Sequence, residues 1–410
     1  MKRVVGNAAQ DKKSAVEGRN KKLVAQTPQK KYQSISPEIV SKNMHDESFS
    51  TAVIAWQKQH GRHALPWQNT RDAYRVWLSE IMLQQTQVTA VIPYYHRFLQ
   101  TFPDVQTLAA ASSEQVMSHW SGLGYYSRAR NLHKCAQLVV SDHHGIFPAD
   151  PLLLEQLPGI GRSTAAAIAA FSYGARAAIL DGNVKRVFAR VFGIDRYPGE
   201  KAVENDLWFR ARALLPEQDI ESGFESGIES YTQGLMDLGA TLCTRNRPAC
   251  ERCPLAERCV AYATGRTAEL PVRKPKKAIP EKYAVMLIVL DGNQVLLEQR
   301  PNHGIWGGLL SLPQISVEDV QAENAPDLAH QLQHNMLLAL APFGAIDGIE
   351  SLPAITHGFT HFKLHIAPYR ISLKQRHQLA GQSSQVWYAI KNLADAPLPA
   401  PVKKLLLSLC

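Results

Sequence analysis

Long apolar segments are missing from this 410-residue sequence. The longest apolar run, from Ala284 to Leu290, is only as long as a strand, whereas a membrane-spanning helix needs roughly 18 to 20 apolar residues. The start of the chain also lacks the apolar segment of a secretory signal. We therefore expect no membrane partner and a cytoplasmic location, associated with the nucleoid if the source is bacterial.

Cysteine is scarce, with six residues in the whole chain. A reducing compartment disfavours disulfides, so cysteines that lie close together there more often bind metal. Four of them follow the spacing C-x6-C-x2-C-x5-C, at Cys243, Cys250, Cys253 and Cys259. This spacing predicts a metal centre, and by itself it leaves both a structural zinc ion and an iron–sulfur cluster open.

Acidic residues are outnumbered by basic ones, which gives a formal net charge of +9. A basic balance favours a polyanionic partner, nucleic acid before membrane, although charge alone is equally compatible with a basic protein that has no such role. Residues 1–47 contain ten Lys/Arg and five Asp/Glu and show no hydrophobic periodicity. We predict that this segment is a disordered basic tail.

The rest of the chain divides by its hydrophobic period into two domains and a linker. Residues 48–265 show amphipathic stretches broken by short Pro- and Gly-containing segments, which predicts an all-helical domain. Residues 266–281 are rich in Pro and Lys and are typical of a linker. Residues 282–410 combine strand and helix patterns, so the fold class is a multidomain one in which a helical domain precedes a small α/β domain.

Several elements of the second domain can be predicted individually. The segment Asp291-Gly292-Asn293 separates two apolar runs and is typical of a β-hairpin turn. Strands are predicted at residues 283–290, 294–299, 361–373 and 386–390, and helices at residues 322–340 and 401–409.

The segment Leu157–Ala165 has two glycines around one apolar residue, just before an Ala-rich helix. Such a turn exposes backbone N–H groups beside the positive end of a helix, which suits a DNA phosphate. The residues concerned are Gly159, Gly161, Arg162 and Ser163. A turn of this kind on its own is more often only a turn.

Two carboxylates are candidates for catalysis. Glu80 lies in an apolar helical stretch, where burial would raise its pKa, although periodicity alone favours a surface glutamate. The spacing predicts a helix that places Glu80, Gln84 and Gln87 on one stripe. Asp181 precedes a helix, which indicates an N-cap whose N–H neighbours would keep it ionised.

These motifs together resemble those of the MutY family in the endonuclease III superfamily of helix–hairpin–helix glycosylases. The resemblance covers residues 48–410 and rests on S-E-I-M-L-Q-Q-T-Q-V, L-D-G-N-V-K-R-V, L-P-G-I-G-R-S-T-A and the cysteine spacing. It implies one [4Fe–4S] cluster per chain held by the four cysteines. It also implies a monomer that acts on duplex DNA with adenine opposite 8-oxoguanine or guanine, which prevents G:C to T:A transversions.

The same resemblance implies roles for individual residues. Glu80 would protonate adenine at N7, Asp181 would stabilise the oxocarbenium ion, and Asn183 would support both. Gln84, Gln85 and Tyr125 would lie at the lesion, where the tyrosine acts as a wedge. Leu65 and Trp67 would line the adenine pocket, with Gln233 as a further pocket candidate.

One replacement separates this chain from the bifunctional members of the superfamily. Those enzymes carry a lysine after the hairpin, and this sequence has Ser163 there. A hydroxyl cannot form an imine, so we predict a monofunctional glycosylase, with only incidental reaction at Lys185.

The second domain resembles the Nudix-like domain of the same family. Gly304–Gln314 is similar to its G-x-W-G-G-L segment, and no acidic metal-binding helix pattern follows Gly308. The resemblance therefore implies a binding domain in which Phe359, Thr360 and His361 recognise 8-oxoguanine. The segment Glu217–Ser230 departs from the family pattern and is interpreted as an insertion.

Overall fold

The computed structural model describes residues 47–217, 227–274, 278–316, 325–377 and 384–408. The predicted tail therefore lies outside the described residues, except for Glu47, where the first helix begins. The first part of the described chain is helical, as predicted. Its helices are α1 (Glu47–His60), α2 (Ala73–Leu83), α3 (Val88–Thr101), α4 (Val105–Ala110), α5 (Ser113–Trp120), α6 (Ser127–His143), α7 (Pro151–Glu155), α8 (Arg162–Tyr173), α9 (Gly182–Val191), α10 (Lys201–Ala213), α11 (Ile228–Asp237) and α12 (Val260–Ala263).

Local side-chain caps explain where several of these helices begin. Asp72 accepts a hydrogen bond from the Tyr74 amide at the start of α2. Ser112 and Gln115 form a reciprocal capping box at the start of α5. Each cap satisfies backbone N–H groups that have no partner inside the helix, and the capping residues are readable in the sequence.

The helical part contains two apolar clusters that share helix α8. Trp77 and Trp120 are fully buried in one cluster, and Phe49 and Phe188 lie in the other. Alanines of α8 contribute to both clusters. Small side chains let neighbouring helices pack closely around α8, so the glycine hairpin that precedes α8 is fixed on a rigid element.

The second part of the chain is built on one sheet. Eight strands are present in the described residues: β1 (Glu281–Asp291), β2 (Gln294–Gln299), β3 (Leu310–Ser311), β4 (Gln314–Ser316), β5 (Gly344–Ser351), β6 (Ile355–Gly358), β7 (Lys363–Arg376) and β8 (Gln385–Ala389). The helices of this part are α13 (Ala325–Leu340) and α14 (Ala400–Leu407). The strand order is β3-β2-β1-β7-β5; in addition, β4 pairs with β1, β6 pairs with β7, and β8 pairs with β2. The β1–β7 pair is parallel and the other pairs are antiparallel.

The structure bears out the predicted hairpin, because Asp291 pairs with Gln294 and Gly292 takes a φ of +55°. The two predicted strands near the end of the chain are also present, with ends shifted by a few residues. Strands β3 to β6 were not predicted. Across the described ranges, no helix has both the length and the apolar content to cross a membrane.

One sequence prediction needs correction. Helix α2 ends at Leu83, so Gln84 and Gln87 do not share a helical stripe with Glu80. The last residues of the segment interpreted as an insertion, from Ile228, form the first turn of α11. Residues 218–226 of that segment lie outside the described residues.

Helices α5 and α6 connect the helical part to the sheet-containing part. Arg130 donates a hydrogen bond of 2.5 Å to the carbonyl of Gly307. The hydroxyls of Ser118 and Ser121 donate to the carbonyls of Asp395 and Leu398, at 2.8 and 3.2 Å. The loop that contains Gly307 is thereby tied to the same helix that follows Tyr125.

Candidate active site and nucleic-acid interface

A deep pocket opens between α1, α2, α8 and α11. Glu80 lies in its wall, together with Leu65, Trp67 and Gln233, which the sequence predicted as pocket residues. Trp67 is held edge-on against Tyr95, with ring centres 5.4 Å apart. The structure therefore brings together four predicted residues, although the first and the last of them are more than 150 positions apart in the chain. Further lining residues include Arg62, Ser79, Tyr173 and Met236.

Glu80 is electrostatically the most unusual group of the pocket. Burial raises its pKa to about 8, and the negative charge of Asp181 acts in the same direction. A carboxyl group with such a pKa keeps its proton near neutral pH and can serve as a general acid. The alternative of an ordinary surface glutamate is therefore wrong for this residue.

Asp181 caps helix α9, as predicted. Its carboxylate accepts a hydrogen bond of 2.8 Å from the Val184 amide. Burial nevertheless raises the pKa of Asp181 above its ordinary value, against the opposing effect of the Val184 and Asn183 amides and the charge of Arg186. The N–H groups at the helix start favour the ionised form, as expected from the sequence, but desolvation is the larger effect on the pKa.

Asn183 lies in the first turn of α9 and is held from two sides. Its side-chain oxygen accepts a hydrogen bond of 2.8 Å from Arg186, which also donates to the carbonyl of Gly239 at 2.7 Å. A Cβ atom on residue 239 would lie 2.5 Å from the Cβ of Asn183. Gly239 is therefore needed for the close approach that fixes Asn183, a role that the sequence did not reveal.

A buried carboxylate organises the far wall of the pocket. The Asp237 side chain is fully buried and accepts hydrogen bonds from Arg62 and from the Gln233 amide, at 2.7 and 2.8 Å. One N–H of the Gln233 side-chain amide is therefore engaged, which leaves its oxygen and its second N–H for a ligand. Neither Arg62 nor Asp237 was singled out from the sequence, although an aspartate in the apolar segment Leu235–Gly239 was a usable signal.

The predicted lesion residues surround a second, smaller pocket. Gln84, Gln85 and Tyr125 line it, together with Arg128 and Gly159. Gln85 and Tyr125 both have left-handed backbone conformations, with φ values of +58° and +50°. Tyr125 is 42% exposed, so its ring is available to a partner. The structure thus places the three predicted lesion residues on one surface beside the glycine hairpin.

The glycine hairpin has the geometry expected of an anion site. Gly159 takes a φ of +80°, and a Cβ there would lie 2.9 Å from the Cβ of Asn131. Gly161 begins helix α8 without a side-chain cap, which leaves the first N–H groups of the helix for a ligand. The guanidinium of Arg162 stacks 3.9 Å above the Trp208 ring. The Ser163 hydroxyl faces the interior and accepts a hydrogen bond from the Leu180 amide.

The four predicted metal-binding cysteines line a single cavity. As the side chains are placed, no three His, Cys, Asp or Glu residues in the described ranges could hold a single metal ion. Both alternatives that the spacing left open, a structural zinc ion and an iron–sulfur cluster, remain compatible with four cysteines at one cavity. Arg190 donates a hydrogen bond to the Cys243 sulfur at 3.3 Å, and backbone amides donate to Cys253 and Cys259. Donors of this kind suit cysteine thiolates that hold a cluster.

The loop between β6 and β7 carries the residues predicted to recognise the lesion. Phe359 is half-buried and stacks on Phe362, with ring centres 4.4 Å apart. Thr360 and His361 are exposed, and the Thr360 hydroxyl lies 3.3 Å from the His361 ring nitrogen. The loop therefore presents polar groups outward from an aromatic base.

Comparison with known proteins gives two family matches and close relatives. Residues 78–212 match the HhH-GPD superfamily of base excision DNA repair proteins, and residues 284–408 match the NUDIX domain. The adenine DNA glycosylase of Buchnera aphidicola subsp. Schizaphis graminum is 34% identical over 361 residues, which cover 87% of this chain and 97% of that protein. The mouse adenine DNA glycosylase is 33% identical, and the match covers 90% of this chain and 80% of that protein.

Among solved structures, a thermostable thymine-DNA glycosylase is similar to the helical part. It is 26% identical with a TM-score of 0.47, and the match covers 55% of this chain and 99% of that one.

Proposed function

The chain belongs to the adenine DNA glycosylase family, and from that membership we propose that it removes adenine mispaired with 8-oxoguanine from duplex DNA. It is a DNA glycosylase of base excision repair. The reaction is hydrolysis of the N-glycosidic bond of adenine, and adenine opposite guanine is a second substrate. Removal of the misincorporated adenine would prevent G:C to T:A transversions.

The protonated state of Glu80 supports this proposal most directly. Adenine is a poor leaving group unless a ring nitrogen is protonated as the glycosidic bond breaks. A carboxyl group with a pKa of about 8 supplies that proton at neutral pH. We assign the adenine base to the pocket lined by Trp67 and Gln233, where Glu80 protonates N7 and later helps to activate water.

Asp181 complements Glu80 by its charge. When adenine leaves, positive charge develops on the sugar, and a carboxylate nearby stabilises it. The hydrogen bond from the Val184 amide fixes the carboxylate of Asp181 at the start of α9. Asn183, held by Arg186, keeps this turn in position.

We propose that the enzyme is monofunctional. The position of the imine-forming lysine is Ser163, whose hydroxyl accepts a hydrogen bond from the Leu180 amide. Lys185 is the nearest amine in the same motif, and it pairs with Glu204 at 2.6 Å. An amine that is held in an ion pair is a poor nucleophile, so we expect no efficient strand cleavage.

Recognition of the lesion is assigned to two surfaces. Gln84, Gln85 and Tyr125 would enter the duplex, and the phosphate of the DNA strand would bind the hairpin at Gly159 and Gly161. Phe359, Thr360 and His361 would contact 8-oxoguanine from the sheet-containing part. The exposed hydroxyl and imidazole provide hydrogen-bonding groups for an oxidised purine.

The four cysteines are proposed to hold one [4Fe–4S] cluster. When bound, the cluster would supply a structural cross-link for the loop that follows α11, with no part in the bond cleavage. The expected monomeric state and cytoplasmic location stay predictions.

The proposal is tested by single-turnover excision on three matched duplexes. Adenine is placed opposite 8-oxoguanine, guanine or thymine, and the abasic product is cleaved with alkali before it is measured. Rapid excision opposite 8-oxoguanine, slower excision opposite guanine and none opposite thymine are expected. The Glu80→Gln variant should bind the first duplex and release no adenine, whereas equal excision from all three duplexes would contradict the proposal.

A further inference from the structure

Arg128 is a buried cation in helix α6. It is 7% exposed, and within the described ranges no carboxylate forms an ion pair with it. Burial lowers its pKa to about 10. A buried charge without a counterion is retained only where hydrogen bonds replace the lost water, so the acceptors around this guanidinium indicate what it does.

The guanidinium of Arg128 donates to oxygens from two separate segments of the chain. One terminal nitrogen is directed at the end of helix α2, and the other reaches both the turn after α2 and the turn before Tyr125. The acceptors are the carbonyls of Ile81 (3.0 Å), Met82 (2.7 Å) and Gln84 (2.7 Å), the Thr86 hydroxyl (3.1 Å), and the carbonyls of Leu123 (3.3 Å) and Gly124 (3.1 Å).

Two of these carbonyls directly precede the two left-handed residues of the lesion surface. The Gln84 carbonyl precedes Gln85 and the Gly124 carbonyl precedes Tyr125, whose φ values are +58° and +50°. Residues other than glycine keep this conformation only where their surroundings enforce it. Trp120 also donates to the Gly124 carbonyl and Thr86 to the Gln84 carbonyl, but among the described residues Arg128 alone donates to both.

The electrostatics and ring contacts act in the same direction. The carbonyls at the end of α2 carry the negative end of the helix dipole, which a cation stabilises. The guanidinium also lies 5.4 Å from the Tyr125 ring centre and 5.3 Å from that of Trp120. These distances are within the range of a cation–π contact, so Arg128 contacts the Tyr125 ring as well as the backbone before it.

We propose that Arg128 is a positioning residue that joins the Gln84–Gln85 turn and the Gly124–Tyr125 turn into one preformed wedge for opening the duplex. The inference rests on the proposed function, since it assumes that these turns enter DNA. Because the guanidinium is buried, it acts through the two turns and not by contact with the phosphate or the base. Its loss should therefore slow extrusion of the adenine nucleotide more than the chemistry that follows.

The test separates extrusion from chemistry with 2-aminopurine, whose fluorescence rises when the base leaves the stack. The fluorescent base replaces the target adenine opposite 8-oxoguanine, and Arg128→Met and Arg128→Lys are made in the Glu80→Gln background, which blocks excision. We expect the fluorescence rise to be about tenfold slower for Arg128→Met. Arg128→Lys keeps the charge without the planar fork of donors, so an intermediate rate is expected.

Arg97→Met is the matched control, because Arg97 is an exposed arginine with similar contacts elsewhere. It stacks 4.5 Å from the Tyr94 ring centre and donates to the carbonyl of His119. This variant should extrude the base at the rate of its parent. If Arg128→Met only destabilises the fold, its melting temperature falls but its folded molecules extrude the base at the parent rate. That outcome would overturn the inference.

The remaining outcomes are distinguishable. If Arg128→Met does not fold, Arg128→Lys carries the test, and an unchanged fluorescence rise in that variant overturns the inference. If excision by Arg128 variants with Glu80 intact slows while extrusion stays fast, Arg128 acts on the catalytic helix and the inference is wrong. If the unmodified enzyme fails to excise adenine from the duplex while still extruding 2-aminopurine, the proposed function fails and the inference survives.

Discussion

The ammonium group of Lys185 lies 2.6 Å from the carboxylate of Glu204, one turn after the helix cap formed by Asp181. Both side chains are about a quarter exposed, and the contact lowers the pKa of Glu204. Glu204 therefore stays ionised and holds the amine of Lys185 in an ion pair. This pairing gives a physical reason why the only amine in the catalytic motif would react slowly with an abasic sugar.

Removing the carboxylate of Glu204 should increase imine formation at Lys185. Glu204→Gln breaks the ion pair that holds the Lys185 amine, so the amine becomes free to reach an abasic sugar. We expect the yield of enzyme–DNA adduct trapped with borohydride on an abasic duplex to rise by about threefold, which corresponds to the loss of a partly exposed ion pair worth roughly 0.6 kcal/mol.

The control is Glu200→Gln, which removes an exposed carboxylate paired with Arg196 at the start of the same helix. It should leave trapping unchanged, and Lys185→Ala combined with Glu204→Gln should return trapping to a low level. Strong strand cleavage by the unmodified enzyme without alkali would show that the monofunctional assignment is wrong.

The pH dependence of excision follows from the raised pKa of Glu80. The protonated carboxyl group is the active form, so the rate should be constant below the pKa and fall as the pH rises above about 8. Above that value a loss of roughly tenfold per pH unit is expected for a single essential acid. The measurement is single-turnover excision between about pH 6 and pH 10, the range that brackets this pKa.

Asp181→Asn gives the internal check on that pKa. Removing the negative charge of Asp181 lowers the pKa of Glu80, so the descending limb of the residual activity should move to lower pH. The rate itself should also fall, because the stabilising carboxylate is lost. An unshifted limb in this variant would rule out the electrostatic link between the two carboxyl groups.

The features that could be predicted from the sequence are those set by neighbouring residues. Helix starts depend on caps such as Asp181, and the Asp291-Gly292-Asn293 turn depends on a glycine with positive φ. Both are local, and both were found. Strand β5 was missed because most of its residues are exposed and it is defined by pairing with β7.

The features that were missed depend on contacts between distant residues. Helix α2 ends at Leu83 although Gln84 and Gln85 are good helix formers, and the carbonyls at that end are held by Arg128, which is more than 40 positions away. The burial of Glu80 likewise depends on walls from α8 and α11. Periodicity within one helix carries no information about the residues of other helices that cover it. The interpretation of Glu80 as a surface glutamate could therefore be rejected only with the structure.

The cysteine cavity predicts a specific response to cysteine replacement. Cys253→Ala removes one of four sulfurs, so iron content should fall well below the four atoms per chain expected of the [4Fe–4S] cluster, and the visible absorption should be lost. Duplex affinity should fall with it, because the arginine-rich loop would lose its cross-link.

Cys135→Ala is the matched control, since Cys135 is fully buried in the helical core and lies outside the cavity. It should cost about 1 kcal/mol of unfolding free energy from the lost sulfur contacts, and leave the iron content unchanged. Retention of full iron content by Cys253→Ala would refute the ligand assignment.

The loop at Phe359–His361 predicts a change in specificity and not in chemistry. Thr360 and His361 are exposed and lie outside the pocket that contains Glu80. His361→Ala should reduce the preference for adenine opposite 8-oxoguanine over adenine opposite guanine by about tenfold, the effect of roughly one lost hydrogen bond to the lesion. The rate of excision opposite guanine should stay the same.

The two substrates must be compared as a ratio of kcat/KM values, because a general loss of folding lowers both values equally. His334→Ala is a suitable control, since it replaces a histidine of helix α13 outside this loop. A His361→Ala enzyme that loses activity on both duplexes to the same extent would place His361 in folding or general DNA binding. A selective loss opposite 8-oxoguanine would instead assign lesion recognition to a domain that supplies no catalytic carboxylate.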